Sequence, residues 1–324
     1  MVTPSVSVII TAYNAAATIG DAVRSALSQA ETAQVIVVDD VSRDRTVQQA
    51  EEAAGGDPRL LVIRRARNGG PAAARNDGLD AVTGSVLAVL DADDFLLPGR
   101  FARLLALPGW DMVADNILFV SEETSPTTLP RVPPCNDQRV IDVDLADFVR
   151  GNLSTPGENR REWGFLKPLI RMDFLNRHRL RYRSDLRLGE DYDLYVRMLQ
   201  RHARFRISMK VGYVARWRDG SLSARHSTAD LAALCDAARG HLQPPGNSLE
   251  ARHALRRQLA ELRQRYLVRE ILDRRAEQGR VRAVLGSLLR PTTLVPVARG
   301  LIADKLAARV PVPASRIGRL LLDD

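Results

Sequence analysis

The first hundred residues alternate between short apolar runs and stretches with helical periodicity. Four apolar runs, rich in β-branched residues, predict buried strands at Val6–Ile10, Val35–Val38, Leu60–Ile63 and Val86–Leu90. The stretches between them place apolar residues three or four positions apart, which predicts helices. Continuous apolar strands that alternate with helices are typical of a mostly parallel sheet with helices on both faces. We therefore predict an α/β fold for this part of the chain.

The first of these helices carries a signal for where it begins. Thr18 is followed three positions later by Asp21, a pattern that resembles a capping box and predicts a helix starting at Thr18. Pro71 is typical of a first helical turn and predicts the start of the helix before the fourth strand.

Polar side chains follow three of the four strands at the point where each strand ends. They are Thr11 and Tyr13 after the first strand, Asp39 and Asp40 after the second, and Asp91, Asp93 and Asp94 after the fourth. Ligands of open α/β sheets bind beyond the carboxyl ends of the strands, so these groups predict one shared site. Turn formation, which Asp favours, is the alternative explanation for any single strand end.

The three carboxylates after the fourth strand repel one another unless a cation or a shared proton holds them. No His or Cys stands beside them in the sequence, so the donors are hard oxygens that suit Mg²⁺ or Mn²⁺ better than zinc. Such cations share ligands with phosphate groups. The stretch therefore predicts a divalent cation and a nucleotide or diphosphate substrate.

The chain changes character after the fourth strand. Residues 121–139 are rich in Pro, Ser and Thr and predict a loop. A later helix begins near Glu190 and Asp191, and its apolar face contains Leu194 and Met198. The dipole of this helix stabilises the carboxylate of Asp191 as an anion.

Most of the net charge of +8 lies in the carboxy-terminal part of the chain, where eleven Arg oppose five acids between Glu250 and Arg290. The pattern from residue 228 onward predicts basic amphipathic helices. Such a segment favours an anionic partner such as lipid or pyrophosphate, and a solvated helix face is equally consistent. Aromatic residues make up only 5% of the chain and do not interleave with the basic ones, which argues against nucleic acid.

Composition and the apolar runs also limit the compartment. A chain of 324 residues with 45% hydrophobic residues suits one α/β domain plus an appendage. Cys135 and Cys235 lie far apart without metal-binding spacing, which fits a reducing compartment. No signal-peptide pattern is present, and no apolar run approaches the roughly 18–20 residues that a membrane span needs. We expect a cytoplasmic protein that can also bind peripherally to the inner face of the cell membrane.

Five segments together resemble a family 2 glycosyltransferase with the GT-A fold, which is a Rossmann-like α/β fold. They read VSVIITAYNAAATI at 6–19, VIVVDDVSRDRT at 35–46, NGGPAAARNDGLDAVTG at 68–84, LAVLDADDFLLP at 87–98 and LRLGEDYDLYVRML at 186–199. Their order and spacing resemble the family over roughly residues 5 to 225. The second half, with GFLKPLIR before GEDYDLY, is similar to transferases of bacterial exopolysaccharide synthesis of the succinoglycan type.

The resemblance implies a domain division and a reaction. A GT-A domain would cover residues 1–227, with a nucleotide-sugar-binding half at 1–120 and an acceptor-binding half at 121–227, before a basic helical region at 228–324. The enzyme would be an inverting hexosyltransferase that moves a sugar from a nucleotide-diphosphate donor, UDP-sugar in particular, onto a glycan acceptor. A lipid-diphosphate-linked oligosaccharide is the expected acceptor, and Mn²⁺ or Mg²⁺ is the expected cofactor.

The resemblance also assigns the nucleotide-binding residues. Thr11, Ala12 and Tyr13 would line the nucleobase pocket, with the Tyr13 ring as an aromatic wall. Asp40 would accept a hydrogen bond from the base N3–H, which favours uracil or thymine.

The remaining assignments concern the diphosphate, the sugar and the acceptor. Arg75 and Asn76 would face the nucleotide and the donor sugar, and Asp91 would face the sugar or support the metal site. Asp93 and Asp94 would hold the ribose and the metal ion. Asp191 would be the general base that takes the proton of the acceptor hydroxyl, with Glu190, Asp185 and Asp193 as rivals for that role.

Two features depart from the family pattern. Val41 stands where the family often has Gly, and a positive φ there would strain a β-branched residue. The QxxRW motif of processive members is missing, which favours the addition of a single sugar. Arg216, Arg218 or His226 from the replacing segment could reach the diphosphate, with a basic surface loop as the alternative.

Two residues that precede the segment containing Asp191 could shape an acceptor pocket. These are Trp163 and Lys167, for which a core Trp and a surface Lys are the more ordinary interpretations. For the whole chain, the competing functions are a non-catalytic nucleotide-sugar-binding or scaffold protein of a polysaccharide assembly complex, a phosphatase with Asp91 and Asp93 as nucleophile and acid, and a nucleic-acid-binding protein.

Overall fold

A computed structural model describes residues 4–129, 139–153, 162–217, 226–278 and 318–322. The chain divides into two compact units. The first comprises residues 1–218 together with 317–324, and the second comprises residues 219–316.

Strands and helices alternate through the first half of the larger unit, as the apolar pattern predicts. In chain order they are β1 (Val6–Ala12), α1 (Ile19–Leu27), β2 (Thr32–Asp39), α2 (Thr46–Ala54), β3 (Leu60–Arg64), α3 (Gly70–Asp80), β4 (Val86–Asp91), β5 (Phe95–Leu96) and α4 (Arg100–Leu105).

The second half of this unit mixes short strands with short helices. In chain order they are β6 (Met112–Ser121), β7 (Val140–Val143), α5 (Leu145–Arg150), a 3₁₀ turn (Trp163–Phe165), β8 (Leu169–Arg171), α6 (Met172–Arg177), α7 (Glu190–Leu199) and β9 (Phe205–Trp217).

These strands form one sheet, of nine strands among the described residues, in the order β3-β2-β1-β4-β8-β6-β9-β5, with β7 also paired to β9. The four strands β3, β2, β1 and β4 run parallel to one another. Strand β8 is antiparallel to both of its neighbours, while β6 and β9 are parallel. The predicted α/β fold with a mostly parallel sheet is confirmed.

Burial explains the continuous apolar runs of the central strands. Val8, Ile9 and Ile10 of β1 are fully buried, as are Val35–Val38 of β2. A strand covered on both sides needs apolar residues at successive positions, whereas a half-exposed strand alternates. Each such side chain contributes roughly 1.5–3 kcal/mol when it leaves water, so these two strands anchor the core of the unit.

The predicted capping box at the first helix is wrong. Helix α1 begins at Ile19, and Thr18 makes no side-chain cap hydrogen bond. The carboxylate of Asp21 instead forms ion pairs with Arg24 and with Arg216. A charged partner outcompetes a backbone amide for a carboxylate, since charge-assisted hydrogen bonds are about twice as strong as neutral ones.

The described residues of the second unit form two helices, α8 (Thr228–His241) and α9 (Leu249–Gln278), which pack on each other. Buried Cys235, Ala238 and Leu259 form their core. The predicted carboxy-terminal helices are therefore confirmed over residues 228–278, and residues 279–317 of the predicted helical region lie outside the described residues. Among the described residues, no helix is both long and apolar enough to cross a bilayer.

The segment 318–322 pairs with β6 of the larger unit, which the sequence patterns did not predict. The amide of Gly318 donates to the carbonyl of Phe119 at 2.8 Å, and the amide of Leu321 donates to that of Ile117 at 2.9 Å. Leu320 packs against a buried cluster that contains Phe95, the residue after Asp94. The segment 318–322 thus packs against β5, the strand that follows the turn of Asp91, Asp93 and Asp94.

The turn after β2 holds Val41 at a φ of 69°. This is the left-handed region, where a β-branched residue is strained by about 1–3 kcal/mol.

We predict that Val41→Gly raises the free energy of unfolding by about 1 kcal/mol, because the relieved strain exceeds the roughly 0.5–1 kcal/mol entropic cost of glycine. Urea denaturation followed by circular dichroism measures this change. Val140→Gly, in the extended strand β7, is the matched control and should destabilise. Destabilisation by both substitutions would contradict the strain at Val41.

Candidate active site

The register of the parallel strands brings the predicted polar strand ends together. Thr11 of β1 lies opposite Asp91 of β4, and Ala12 lies opposite Asp39 of β2. Ala12 is buried and its carbonyl accepts a hydrogen bond from the amide of Asp40 at 2.8 Å, whereas the Tyr13 side chain is exposed. The strand ends therefore form one edge, as parallel pairing requires.

The carboxylate of Asp40 organises the start of α3. It accepts hydrogen bonds from the amides of Gly69 and Gly70 at 3.0 and 2.8 Å and pairs with Arg65 at 2.5 Å. The φ of Gly70 is 79°, a value that side-chain-bearing residues rarely adopt. Asp40 thus accepts hydrogen bonds from the free amides at the amino end of α3 and stabilises the glycine turn beside β2.

Asp94 lies in the turn that follows β4, and both of its carboxylate oxygens accept hydrogen bonds. Its Oδ2 accepts from the Tyr213 hydroxyl at 2.7 Å, and its Oδ1 accepts from the amide of Arg216 at 2.9 Å. Burial raises the pKa of Asp94 well above its usual value, and the negative charges of Asp93 and Asp91 add to this shift. The turn therefore concentrates negative charge that a cation would offset.

The donor set of this turn fits a divalent cation that shares its ligands with a substrate. Asp93 and Asp94 offer two neighbouring carboxylates, and each oxygen of Asp94 keeps one lone pair after its hydrogen bond. Within the described ranges, no three acidic, His or Cys side chains are grouped closely enough to hold a metal by themselves. Mg²⁺ is commonly bound by one or two carboxylates plus substrate phosphates, so two acids suffice.

Arg216 points into the protein rather than toward a bound diphosphate. Its guanidinium is 2% exposed and donates to the carbonyls of Asp93 and Thr124 and to the carboxylate of Asp21. Of the other two residues proposed with it, Arg218 lies outside the described residues, and His226 belongs to the second unit, where it contacts Arg265.

A second charged group is centred on Arg75 of α3, which is 3% exposed. One guanidinium nitrogen contacts Glu190 and, at 2.8 Å, Asp191; the other terminal nitrogen lies 3.0 Å from Asp91. The sequence-predicted residues Arg75, Asp91 and Asp191 are therefore in direct contact. Arg75 lies on α3 in the first half of the larger unit, and Glu190 and Asp191 begin α7 in its second half, so the two halves meet at this group.

Lys167 completes this group, and the ordinary interpretation of it as a surface lysine is wrong. Its ammonium lies 2.8 Å from Asp191 and 2.8 Å from Asp91, and the side chain is 7% exposed. A single Lys in an irregular stretch gives no signal of burial, because its environment depends on partners distant in sequence. Trp163 is the expected core residue: it is buried, and its ring packs over Gly151.

We call these five side chains the ion cluster: Arg75, Asp91, Lys167, Glu190 and Asp191. Burial alone would raise the pKa of Asp91, but Lys167 and Arg75 outweigh it and lower the pKa to about 2. Burial raises the pKa of Glu190, and Asp191 adds to the shift although Arg75 opposes it. Burial lowers the pKa of Lys167, but Asp191 and Asp91 more than compensate and raise it.

The side-chain amide of Asn76, next to Arg75, makes two hydrogen bonds to the backbone of Tyr182. The nitrogen donates to the carbonyl of Tyr182 at 2.8 Å, and the oxygen accepts from its amide at 2.9 Å. The ring of Tyr182 lies 5.4 Å from the Arg75 guanidinium. Asn76 therefore holds the segment before α7 against α3, and its contact with a donor stays a prediction.

Comparisons with known proteins decide the family. The glycosyl transferase family 2 profile matches residues 7–171. Succinoglycan biosynthesis protein ExoU of Rhizobium meliloti is 45% identical over 300 residues, covering 93% of this chain and 87% of that protein. ExoO of the same organism is 33% identical over 321 residues, covering 96% and 90%. This chain belongs to glycosyl transferase family 2.

Solved structures of low sequence identity share the fold of this family 2 protein. S. aureus TarS, residues 1–349 in complex with UDP-GlcNAc, aligns with a TM-score of 0.60 at 21% identity, covering 86% of this chain and 77% of that one. The mannosyltransferase PcManGT from Pyrobaculum calidifontis, in complex with GDP-Man and Mn²⁺, aligns with a TM-score of 0.57 at 18% identity, covering 96% and 81%. The predicted GT-A fold and the expectation of a glycosyltransferase are confirmed.

We predict that Lys167→Met lowers the free energy of unfolding of this family 2 enzyme by about 3 kcal/mol, because it leaves Asp91 and Asp191 with one fewer buried cation. Urea denaturation followed by tryptophan fluorescence measures the loss. Lys210→Met is the matched control, since Lys210 is only partly buried and has no ion pair among the described residues. Equal losses in the two variants would contradict the role of Lys167 in the ion cluster.

Proposed function

We propose that this family 2 enzyme is an inverting glycosyltransferase of exopolysaccharide synthesis that moves one sugar from a UDP-sugar onto a glycan. The observation that carries the proposal is the meeting of Asp91 at the end of β4 with Asp191 at the start of α7, through Arg75 and Lys167. The strand-end acids, which could bind a nucleotide diphosphate through a cation, thus lie next to a carboxylate that could deprotonate an acceptor hydroxyl. The names of ExoU and ExoO support succinoglycan-type polysaccharide synthesis.

The donor site follows from the strand ends of β1, β2 and β4. The exposed ring of Tyr13 offers a surface for the nucleobase, with Thr11 and Ala12 beside it. Asp40, directly after β2, would accept the base N3–H with the one carboxylate lone pair that the Gly69 and Gly70 amides and Arg65 leave free. TarS supports UDP as the nucleotide, since it shares the fold and was solved with UDP and with UDP-GlcNAc.

Asp93 and Asp94 would hold Mn²⁺ or Mg²⁺ together with the donor diphosphate. PcManGT, which was solved with Mn²⁺, supports this assignment by its similar fold. When bound, the ion supplies positive charge that offsets the negative charge on the departing nucleoside diphosphate. Arg75 and Asn76 would lie on the sugar side of this site, on α3.

Asp191 would act as the general base. It takes the proton of an acceptor hydroxyl while that oxygen forms a bond to the anomeric carbon of the donor sugar. The bond from this carbon to the diphosphate oxygen breaks, its electron pair leaves with the nucleoside diphosphate, and the carbon is inverted. Arg75 and Lys167 each bind one oxygen of Asp191, which fixes the carboxylate and leaves further lone pairs for the hydroxyl.

The basic second unit is the proposed contact with the membrane face on which a lipid-linked acceptor resides. Arg256, Arg257 and Arg263 are exposed on α9 and form no ion pair among the described residues. Arg256 and Arg263 are two helical turns apart and share a face, and Arg257 lies about 100° around the helix from Arg256. Anionic lipid attracts such a basic surface by about 1 kcal/mol per basic residue.

We predict that UDP with Mn²⁺ raises the melting temperature of the wild-type protein and that Asp93→Ala abolishes this rise. Asp191→Asn should keep the rise but lower the transfer rate to a glycan acceptor about 10²–10⁴-fold, because it removes the base without touching the donor. Thermal shift and single-turnover transfer assays measure the two effects.

Asp185→Asn is the matched control for the base, since Asp185 lies in the segment before α7 and pairs with Arg183 on the surface. Its transfer rate should equal that of the wild type. Full activity in Asp191→Asn would contradict the assignment of Asp191 as the base. An equal rise in melting temperature with UDP and Mn²⁺ in the wild type and in Asp93→Ala would contradict the assignment of Asp93.

We also predict that Arg256→Glu with Arg257→Glu reduces co-sedimentation of the protein with phosphatidylglycerol vesicles at least tenfold, and that phosphatidylcholine vesicles bind neither form. The charge-matched control carries Arg45→Glu and Arg64→Glu, whose side chains are both 66% exposed in the larger unit. Equal loss in both double variants would mean that binding depends on net charge rather than on α9.

A further inference from the structure

Arg216, at the end of β9, contacts both acids of the turn that follows β4. Its backbone amide donates to Oδ1 of Asp94 at 2.9 Å, and its guanidinium donates to the carbonyl of Asp93 at 2.7 Å. A third bond joins the guanidinium to the carbonyl of Thr124 at 2.6 Å. One residue therefore fixes the position of Asp94 through its carboxylate and that of Asp93 through its main chain.

Phe95 packs on this arginine, and Tyr213 binds the same acidic turn. The ring of Phe95 lies 5.1 Å from the guanidinium, at a distance typical of a cation–π contact. The Tyr213 hydroxyl donates to Oδ2 of Asp94 and accepts from the amide of Asp91 at 3.2 Å. Tyr213 and Arg216 of β9 thus make four hydrogen bonds to the acidic turn, which reach Asp91, Asp93 and Asp94.

Asp21 of α1 supplies the negative charge for this buried cation. Its Oδ2 lies 2.5 Å from the Arg216 guanidinium, and its Oδ1 lies 2.8 Å from Arg24. The two arginines differ in environment, because the Arg24 side chain is 60% exposed and that of Arg216 is 2% exposed. Removing one member of a buried ion pair is far more damaging than removing a member of an exposed one.

We propose that Asp21 and Arg216 are positioning residues that set the Asp93–Asp94 turn for the divalent cation of the donor complex. This inference rests on the proposed function, because it takes Asp93 and Asp94 as the metal-binding acids. The carboxylate of Asp21 orients the guanidinium, and the guanidinium in turn fixes the main chain between the two acids. Residues that orient metal ligands typically change metal affinity 10–100-fold when they are replaced.

The test is the affinity for Mn²⁺ in the presence of UDP, measured by electron paramagnetic resonance of free Mn²⁺. Asp21→Asn should weaken Mn²⁺ binding about tenfold while the protein stays folded by circular dichroism, since Asp21 is partly exposed. Asp21→Glu, which keeps the charge, should restore most of the affinity. Arg24→Ala is the matched control, because it removes the exposed partner of Asp21 and leaves Arg216 in place, and it should bind Mn²⁺ as the wild type does.

The outcomes separate this inference from the proposed function. Wild-type affinity in Asp21→Asn, with loss of binding in Asp93→Ala, overturns the positioning role and leaves the metal site intact. An equal loss in Arg24→Ala and Asp21→Asn also overturns it, because the effect then does not pass through Arg216. If Asp93→Ala binds Mn²⁺ as well as the wild type does, the proposed metal site is wrong and the inference fails with it.

Discussion

The buried ion pairs of Arg75 are the contact on which the two halves of the larger unit depend. This guanidinium binds Asp91 at the end of β4 and Glu190 and Asp191 at the start of α7, which lie 115 and 116 residues further along the chain than Arg75. A charge removed from water is costly unless partners compensate it, so the buried charges of Arg75, Glu190 and Asp191 depend on one another. The position of α7 relative to the central sheet therefore follows from electrostatics as well as from apolar packing.

The same principle explains how a chain can place three acids within four positions after one strand. Asp91 is neutralised by Arg75 and Lys167, whereas Asp94 is held by hydrogen bonds from Tyr213 and the Arg216 amide. The acids are thus divided between two environments on either side of the turn. The repulsion that remains is reflected in the raised pKa of Asp94, to which burial, Asp93 and Asp91 contribute in that order.

Local patterns predict the parts of this molecule that local forces determine. The apolar runs predict the four parallel strands, and the acids that follow them predict the edge where the site lies, because parallel strands end at the same edge of a sheet. Lys167 and Arg216 escape such reasoning, since each is buried by partners 24 and 195 residues away, Asp191 and Asp21 respectively. The capping box fails for the same reason: a distant arginine takes the carboxylate that a local rule assigns to the helix.

Glu190 and Asp191 are adjacent acids with unequal surroundings, which argues for different roles. Both contact the same nitrogen of Arg75, but only Asp191 also binds Lys167. In the proposed reaction, a proton that moves to Asp191 removes its charge and weakens its attraction to both cations. Lys167 and Arg75 then keep Asp91 as their partner and can compensate the negative charge of the departing diphosphate. The cluster would thus couple deprotonation of the acceptor to stabilisation of the leaving group, because Asp191 and Asp91 share the same two cations.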